Sequence, residues 1–263
     1  MDNLLKAGLK KALPQGAWTS LKSAVLGFQR WRCRNNLPRL ATVCGTDKWG
    51  VHKYAIHYQR HLGHLKTRAF NLLEIGVGGH DAPDKGGESL RMWKAFFPKA
   101  NIYGIDIFDK SALEEPRIRI FRGSQADHEF LRRVIAEIGG VQVVIDDGSH
   151  VNEHVLASFQ TLFPLLPEGG VYAIEDLQTA YWPEFGGSDD PDAPGTSVAM
   201  LKDLIAGVNW EEFRGRQPGP LDRQVVALSF YRNLAFIQKG VNQEGSNKGI
   251  RHTVHWDHPE ASR

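Results

Sequence analysis

Cysteine is scarce: Cys33 and Cys44 are the whole complement of the 263 residues. Two thiols make a poor disulfide framework, so a small disulfide-stapled secreted scaffold is excluded and free thiols in a reducing cytoplasm are expected. Long apolar runs are missing too. The run from Val141 to Ile145 is already broken by Gln142, and a membrane span needs roughly 20 apolar residues. The basic N-terminus is interrupted by Lys10, Lys11 and Pro14, so it lacks the apolar stretch of a secretory signal. Neither sign of charge dominates: 32 Lys+Arg face 30 Asp+Glu, a net charge of +2. What remains is 41% hydrophobic and 24% charged, an ordinary globular balance that excludes a disordered or collagen-like chain.

The charge is unevenly placed. Residues 1–40 carry eight basic side chains against Asp2 alone, leaving the rest of the chain acidic at −5. Leu4, Leu5 and Leu9, then Trp18, Leu21, Val25, Leu26 and Phe28, fall near helical spacing, with Pro14 and Gly16 expected to break this arm in two. Such an arm packs on a partner subunit or lies on an anionic membrane surface, and subunit packing is the favoured reading. No basic patch interleaved with aromatics recurs in the body, so no nucleic-acid partner is expected.

The body alternates strand and helix patterns. Strands are expected at 69–77, 101–107, 117–121, 141–147 and 171–176, and helices at 88–97, 127–138, 150–166 and 197–208. Residues 224–231 and 234–239 read as a terminal hairpin. This order predicts an α/β fold, a mostly parallel sheet with helices on both faces and an antiparallel hairpin at its end. The expected division is a basic helical arm and cap at 1–66, a Rossmann-like domain at 67–240 and a tail at 241–263 in which Trp256 could dock. Residues 178–196, rich in Gly, Pro, Asp and Ser, read as a long functional loop.

The first strand runs into Glu74-Ile75-Gly76-Val77-Gly78-Gly79, a turn in which glycine lets backbone approach a ligand closely. In open α/β sheets ligands bind at the carboxyl ends of the strands. The second strand ends in Asp106, placed to accept hydrogen bonds from ribose hydroxyls; alone, it would read as a loop cap. Ser124 and Gln125 follow the third strand, where they can read a base edge, although Ser124 or Asp127 equally suits an N-cap.

Two acidic strand ends carry the chemistry: Asp146-Asp147-Gly148-Ser149-His150 after the fourth strand and Glu175-Asp176 after the fifth. Adjacent parallel strands would bring these four carboxylates to one rim, where they repel one another unless a cation sits between them. Oxygen donors suit a hard ion such as Mg²⁺; the competing reading has one pair capping a helix and the other solvated. His150, expected at a helix start, is a candidate general base. His52, His57, His61 and His64 have irregular spacing and no accompanying acid, and read as surface or interface residues.

Together these segments, with Gly45-Thr46-Asp47-Lys48, Gly87-Glu88-Ser89-Leu90-Arg91-Met92-Trp93 and Leu177-Gln178-Thr179, resemble the macrocin/mycinamicin-type sugar O-methyltransferases across residues 46–239. The resemblance implies a class I methyltransferase fold, S-adenosylmethionine and Mg²⁺ as cofactors, and a homo-oligomer. It implies that Asp147, Glu175 and Asp176 bind the metal and that His150, with Asp147, carries the catalysis. It also implies that Glu74, Gly76, Gly78, Asp106, Ser124, Gln125 and Asp146 serve the cofactor, Asp146 least clearly. The expected acceptor is a sugar hydroxyl on a small molecule, glycolipid or oligosaccharide. The expected location is the cytoplasm, with the inner face of the membrane open to the basic arm. Three competing readings stand beside it: a nicotinamide oxidoreductase, a silent binding protein on the same fold, and a catechol-type methyltransferase with Tyr181 or Trp182 walling the acceptor.

Overall fold

The computed structural model describes residues 14–215 and 217–246. The expectations for Leu4, Leu5, Leu9, Trp256 and most of the tail concern residues outside this range.

Helix α1 (Gln15–Cys33) begins directly after Pro14, and Gly16 sits in its first turn rather than breaking it. Pro14 is tolerated at this end because the N–H it lacks would have no intrahelical partner there. Helix α1 buries none of its residues, and Phe28 and Trp31 stack on each other, both exposed. Helix α2 (Leu37–Cys44) is started by Asn36, whose side chain accepts from Arg39 N, and stopped by Gly45 at φ 80°. Helix α3 (Tyr54–Leu62) follows.

The sheet contains β1 (Asn71–Ile75), β2 (Asn101–Asp106), β3 (Ile118–Arg122), β4 (Val143–Asp146), β5 (Val171–Glu175), β6 (Val225–Tyr231) and β7 (Leu234–Lys239). Their spatial order is β3-β2-β1-β4-β5-β7-β6. The first five run parallel, and β7 pairs antiparallel with both β5 and β6. Helices α4 (Glu88–Phe96), α5 (His128–Ile138), α6 (Asn152–Leu162) and α7 (Ser197–Val208) connect them. Asp127 caps α5, accepting from Glu129 N and Phe130 N, and Leu131, Val134, Ile135 and Ile138 form its buried stripe at helical spacing.

Strand alternation divides the interior into two layers. Leu72, Ile102, Val143 and Ala173 face one side, where they pack with Leu37 and Leu40 of α2, Tyr58 and Leu62 of α3, and Trp93 and Phe96 of α4. Leu73, Ile105, Val144 and Ile174 face the other, against α5, α6 and α7. Helices α2 and α3 therefore share a core with the sheet.

Residues 178–196 are more ordered than their composition suggests. Two short 3-10 turns, Leu177–Tyr181 and Pro183–Phe185, begin the segment. Asn152 pins it: its Nδ2 donates to Thr179 O at 3.2 Å and Phe185 O at 3.0 Å, and its Oδ1 accepts from Ser197 N at 2.7 Å.

Candidate active site

The carboxyl ends of β1, β2, β4 and β5 open into a cavity of about 840 Å³, within the usual range of a small-molecule site. Along the rim, strand order fixes the sequence of groups: Asp106 on β2, the glycine turn on β1, Asp147 after β4 and Asp176 after β5.

Gly76 and Gly78 line the cavity, both at positive φ. A Cβ on Gly76 would lie 2.0 Å from the Asp147 carbonyl oxygen, so only glycine lets this turn pass the β4 end. Asp106 is held by two backbone donors: Val77 N to Oδ2 at 3.0 Å and Phe108 N to Oδ1 at 2.9 Å. Ser124 accepts from Ala126 N. Gln125 also lines the cavity, its Nε2 donating to Asp146 Oδ1 at 3.0 Å and its Oε1 accepting from Ser149 N at 2.7 Å.

Glu74 and Asp146, grouped by sequence with the cofactor residues, do not line the cavity. Asp146 is buried and receives Tyr172 OH at 3.0 Å, Gln125 Nε2 and Ser158 Oγ. Burial raises its carboxyl above the usual range while these three donors pull it back. Glu74 receives Ser89 Oγ at 2.8 Å and Trp93 Nε1 at 3.0 Å. Burial pushes it up to about 7 against the pull of Lys48.

Strand parity separates the acids on and next to β1, β4 and β5. Asp146 turns toward α6, whereas Glu74, Asp147 and Glu175 fall on the side of α2 and α3. There the sequence reading missed the central residue. Lys48, in the turn between those helices, is fully buried, with Nζ 2.7 Å from Asp147 Oδ2, 2.7 Å from Glu175 Oε1 and 3.2 Å from Glu74 Oε1. Burial alone would strip its proton, but the three carboxylates outweigh this and hold the ammonium well above the usual lysine value. Burial and the Asp147 charge raise Glu175, which also accepts from Tyr58 OH at 2.6 Å. Lys48 and Tyr58 both engage Oε1 of Glu175.

Asp147, His150 and Asp176 line the cavity, and one ligand atom from each lies within 4.8 Å of the others. His150 is not at a helix start: it precedes α6 by two residues and adopts φ 58°, with Nε2 3.6 Å from Asp176 Oδ2. Asp176 is itself at φ 54°. Two non-glycine residues in the left-handed region, facing each other at a cavity, are a concentration of backbone strain of the kind found at functional sites. Asp176 Oδ1 accepts from Tyr54 OH at 2.7 Å, and His52 Nε2 lies 3.9 Å away. His57 instead stacks on Tyr231 and His61 on Phe236, and neither histidine lines the cavity. Neither Tyr181 nor Trp182 lines the cavity, and nor does any of residues 178–196.

The donor chemistry fits a hard divalent cation. The two partly exposed carboxylates of Asp147 and Asp176 converge on an open cavity beside the His150 imidazole, leaving room for water or hydroxyl oxygens. The glycine turn and the anchored Asp106 fit a nucleoside, since the backbone leaves space and the carboxylate is oriented to accept from a diol.

No known family profile matches the chain. Individual proteins do. It is 48% identical over 215 residues to the mycinamicin VI 2''-O-methyltransferase of Micromonospora griseorubida, covering 80% of this chain and 54% of that protein. Against the demethylmacrocin O-methyltransferase of Streptomyces fradiae it is 50% identical over 209 residues, 78% of this chain and 53% of the relative. The chain thus spans about half the length of the curated relatives it matches. Among solved structures, the MycE methyltransferase in complex with Mg, SAH and mycinamycin VI aligns with a TM-score of 0.79 and 47% identity, over 83% of this chain and 57% of that one. In sequence and in fold, four fifths of this chain thus match about half the length of macrocin- and mycinamicin-type O-methyltransferases.

Proposed function

We propose that the chain is an S-adenosylmethionine- and Mg²⁺-dependent O-methyltransferase acting on a sugar hydroxyl. The observation that carries the reading is one cavity joining the glycine turn and Asp106 to Asp147, His150 and Asp176. Gly76, Gly78, Asp106, Ser124 and Gln125 would receive the cofactor, with Glu74 and Asp146 supporting that wall from behind. Asp147 and Asp176 would hold the metal at the cavity face, with Glu175 as the third carboxylate of the set. When bound, the two cofactors supply an electrophilic methyl group and a Lewis acid that makes a hydroxyl a better nucleophile.

The chain's own residues then have definable tasks. His150 Nε2 accepts the proton that the acceptor hydroxyl loses, and Asp176 beside it favours the resulting imidazolium. Asp106 fixes the cofactor along the rim, which sets the line of approach. Tyr181 and Trp182 lie off the cavity, which disfavours a flat aromatic diol and leaves a sugar as the better acceptor. The relatives above carry mycinamicin VI and demethylmacrocin in their names; the acceptor class here is a sugar on a small molecule, glycolipid or oligosaccharide.

Location in the cytoplasm and homo-oligomerisation, or contact with a membrane face, through α1 complete the proposal. Its exposed Phe28 and Trp31 beside Arg30, Arg32 and Arg34 suit either contact. Among the described residues no helix is long and apolar enough to cross a membrane.

The test is calorimetric titration of S-adenosylmethionine with and without Mg²⁺, followed by methyl transfer to a panel of glycosides. Cofactor binding, Mg²⁺-dependent transfer, and a fall in turnover of about 10²–10⁴-fold in His150→Ala with little change in cofactor affinity are expected. An absence of cofactor binding would overturn the class, and full turnover in His150→Ala would remove the base.

A further inference from the structure

The segment from Lys48 to Tyr58 reaches all three acids of the expected metal set, and it engages one oxygen of each. Lys48 Nζ takes Asp147 Oδ2 and Glu175 Oε1, Tyr58 OH takes the same Glu175 Oε1, and Tyr54 OH takes Asp176 Oδ1. None of these four bonds uses Asp147 Oδ1, Glu175 Oε2 or Asp176 Oδ2. Lys48 reaches Asp147 across 99 residues and Glu175 across 127, so a local structural need does not explain it.

We propose that Lys48 is a positioning residue: a built-in monovalent cation that fixes Asp147 and Glu175 by one oxygen each and keeps the acidic rim assembled before any metal arrives. The proposal rests on the functional reading of those acids, and goes beyond it in giving the rim a permanent counter-ion of its own.

Carboxylates gathered in a dry place need a counter-charge close by. Glu74, Asp147 and Glu175 form a group whose ligand atoms all lie within 4.8 Å of one another. Glu74 and Glu175 are buried there, and water cannot screen them. Three carboxylates so arranged would themselves attract a cation; the ammonium occupies that place covalently, at a fixed stoichiometry and independent of metal supply. A lysine suits this role better than an arginine because its charge is compact and its donors rotate to serve three acceptors. The arrangement gives the two cations different sides of the acids they share. The lysine takes the dry side, at Glu74, Asp147 Oδ2 and Glu175 Oε1. The divalent ion is left the cavity side, where Asp147, common to both groups, lies with His150 and Asp176.

A merely structural lysine would be missed for its packing; a surrogate cation would be missed for its charge, and another cation could replace it. The experiment compares Lys48→Met with wild type by thermal unfolding of the full chain, first in EDTA and then in millimolar Mg²⁺ or Ca²⁺, without methyl donor or acceptor. Breaking a buried charge cluster of this kind is expected to lower the metal-free midpoint by about 10 °C. Divalent cation should restore at least half of that loss, and shift the variant by more than it shifts wild type. Should Lys48→Met not fold in EDTA, Lys48→Met/Glu74→Gln, which removes one acid together with the lysine, is measured in the same way and is expected to fold and to depend less on added cation. A variant as stable as wild type in EDTA would overturn the proposal, as would a loss that neither divalent cation nor removal of Glu74 relieves. S-adenosylmethionine titration of wild type separates the two readings. Failure there strikes the methyltransferase assignment, whereas the unfolding experiment reports on Lys48 whatever the outcome of that titration.

Discussion

Glu74 is buried one residue before the end of β1, where Ser89 Oγ and Trp93 Nε1 both donate to its Oε2 and Lys48 Nζ forms an ion pair with its Oε1 at 3.2 Å. Its pKa of about 7 stands above the 4.5 of a free glutamate. Below about pH 4.5 both folded and unfolded chains hold the proton, and Glu74 contributes nothing to the pH dependence. Between 4.5 and 7 the unfolded chain releases it and the folded one keeps it, so stability falls as pH rises, by up to about 3 kcal/mol, and levels off above 7. Glu74→Gln should flatten part of this slope in urea melts at pH 5, 6, 7 and 8. The remainder should persist, because Asp146 and Glu175 are raised in the same direction. A slope identical to wild type would show that Glu74 is ionised in the fold across this range. At this scale the sequence was legible where a residue's meaning came from its own strand. Asp106, Asp147 and Asp176 could be singled out because each follows an apolar strand. Lys48 could not: it sits in a loop, its partners lie about a hundred residues away, and only tertiary packing shows that its charge points inward. Tyr54 and Tyr58 escaped for the same reason, as they read like ordinary apolar positions of a helix.

Among elements, the β1 turn is the least negotiable. Gly76 N donates to Ile105 O at 2.8 Å and Asp147 N donates to Ile75 O at 3.0 Å, so the chain ends of β1, β2 and β4 are laced together at this point. A methyl group on Gly76 would meet the Asp147 carbonyl at 2.0 Å, at a φ of 92° that suits glycine alone. Both obstacles are backbone, which cannot swing aside as a side chain can. Gly76→Ala is therefore expected to cost about 3 kcal/mol or more in urea denaturation and to abolish cofactor binding; an unchanged midpoint would show that the turn can open without penalty. Element types were readable from periodicity throughout, from the buried stripe of α5 to the closing hairpin. Boundaries drifted by a few residues where strands run on into rim loops, as at 141–147, where the ladder covers only Val143–Asp146. His150 was drawn into a helix by the apolar spacing that follows it, whereas its left-handed conformation belongs to the turn that aims it at Asp176.

For the molecule as a whole, the shared core joins α2 and α3 to the sheet, and the described chain has no seam along which they could melt alone. Thermal unfolding should thus follow a single transition, and S-adenosylhomocysteine at 100 times its dissociation constant should raise the midpoint by about 5–10 °C. A first transition that leaves the sheet intact would contradict the shared core. The parallel order and the hairpin were legible because strand–helix alternation leaves few arrangements for a single sheet. The integration of α2 and α3 was not, since an amphipathic helix reads the same whether it packs on its own domain or on a partner.

The turn of the hairpin has a consequence for how the protein is made. Asn233 O accepts from both Tyr54 OH and Leu177 N, each at 3.2 Å, so the β6–β7 turn closes the rim between the Lys48–Tyr58 segment and Asp176. On the ribosome, β5 emerges long before β7, its antiparallel neighbour, and every residue of β5 is buried in the finished fold. From Glu175 to Leu234 translation takes roughly 3–12 seconds at about 5–20 residues per second, and for that interval a nascent chain carries an apolar strand with an open edge. In no nascent chain can the rim be complete before the β6–β7 hairpin is released.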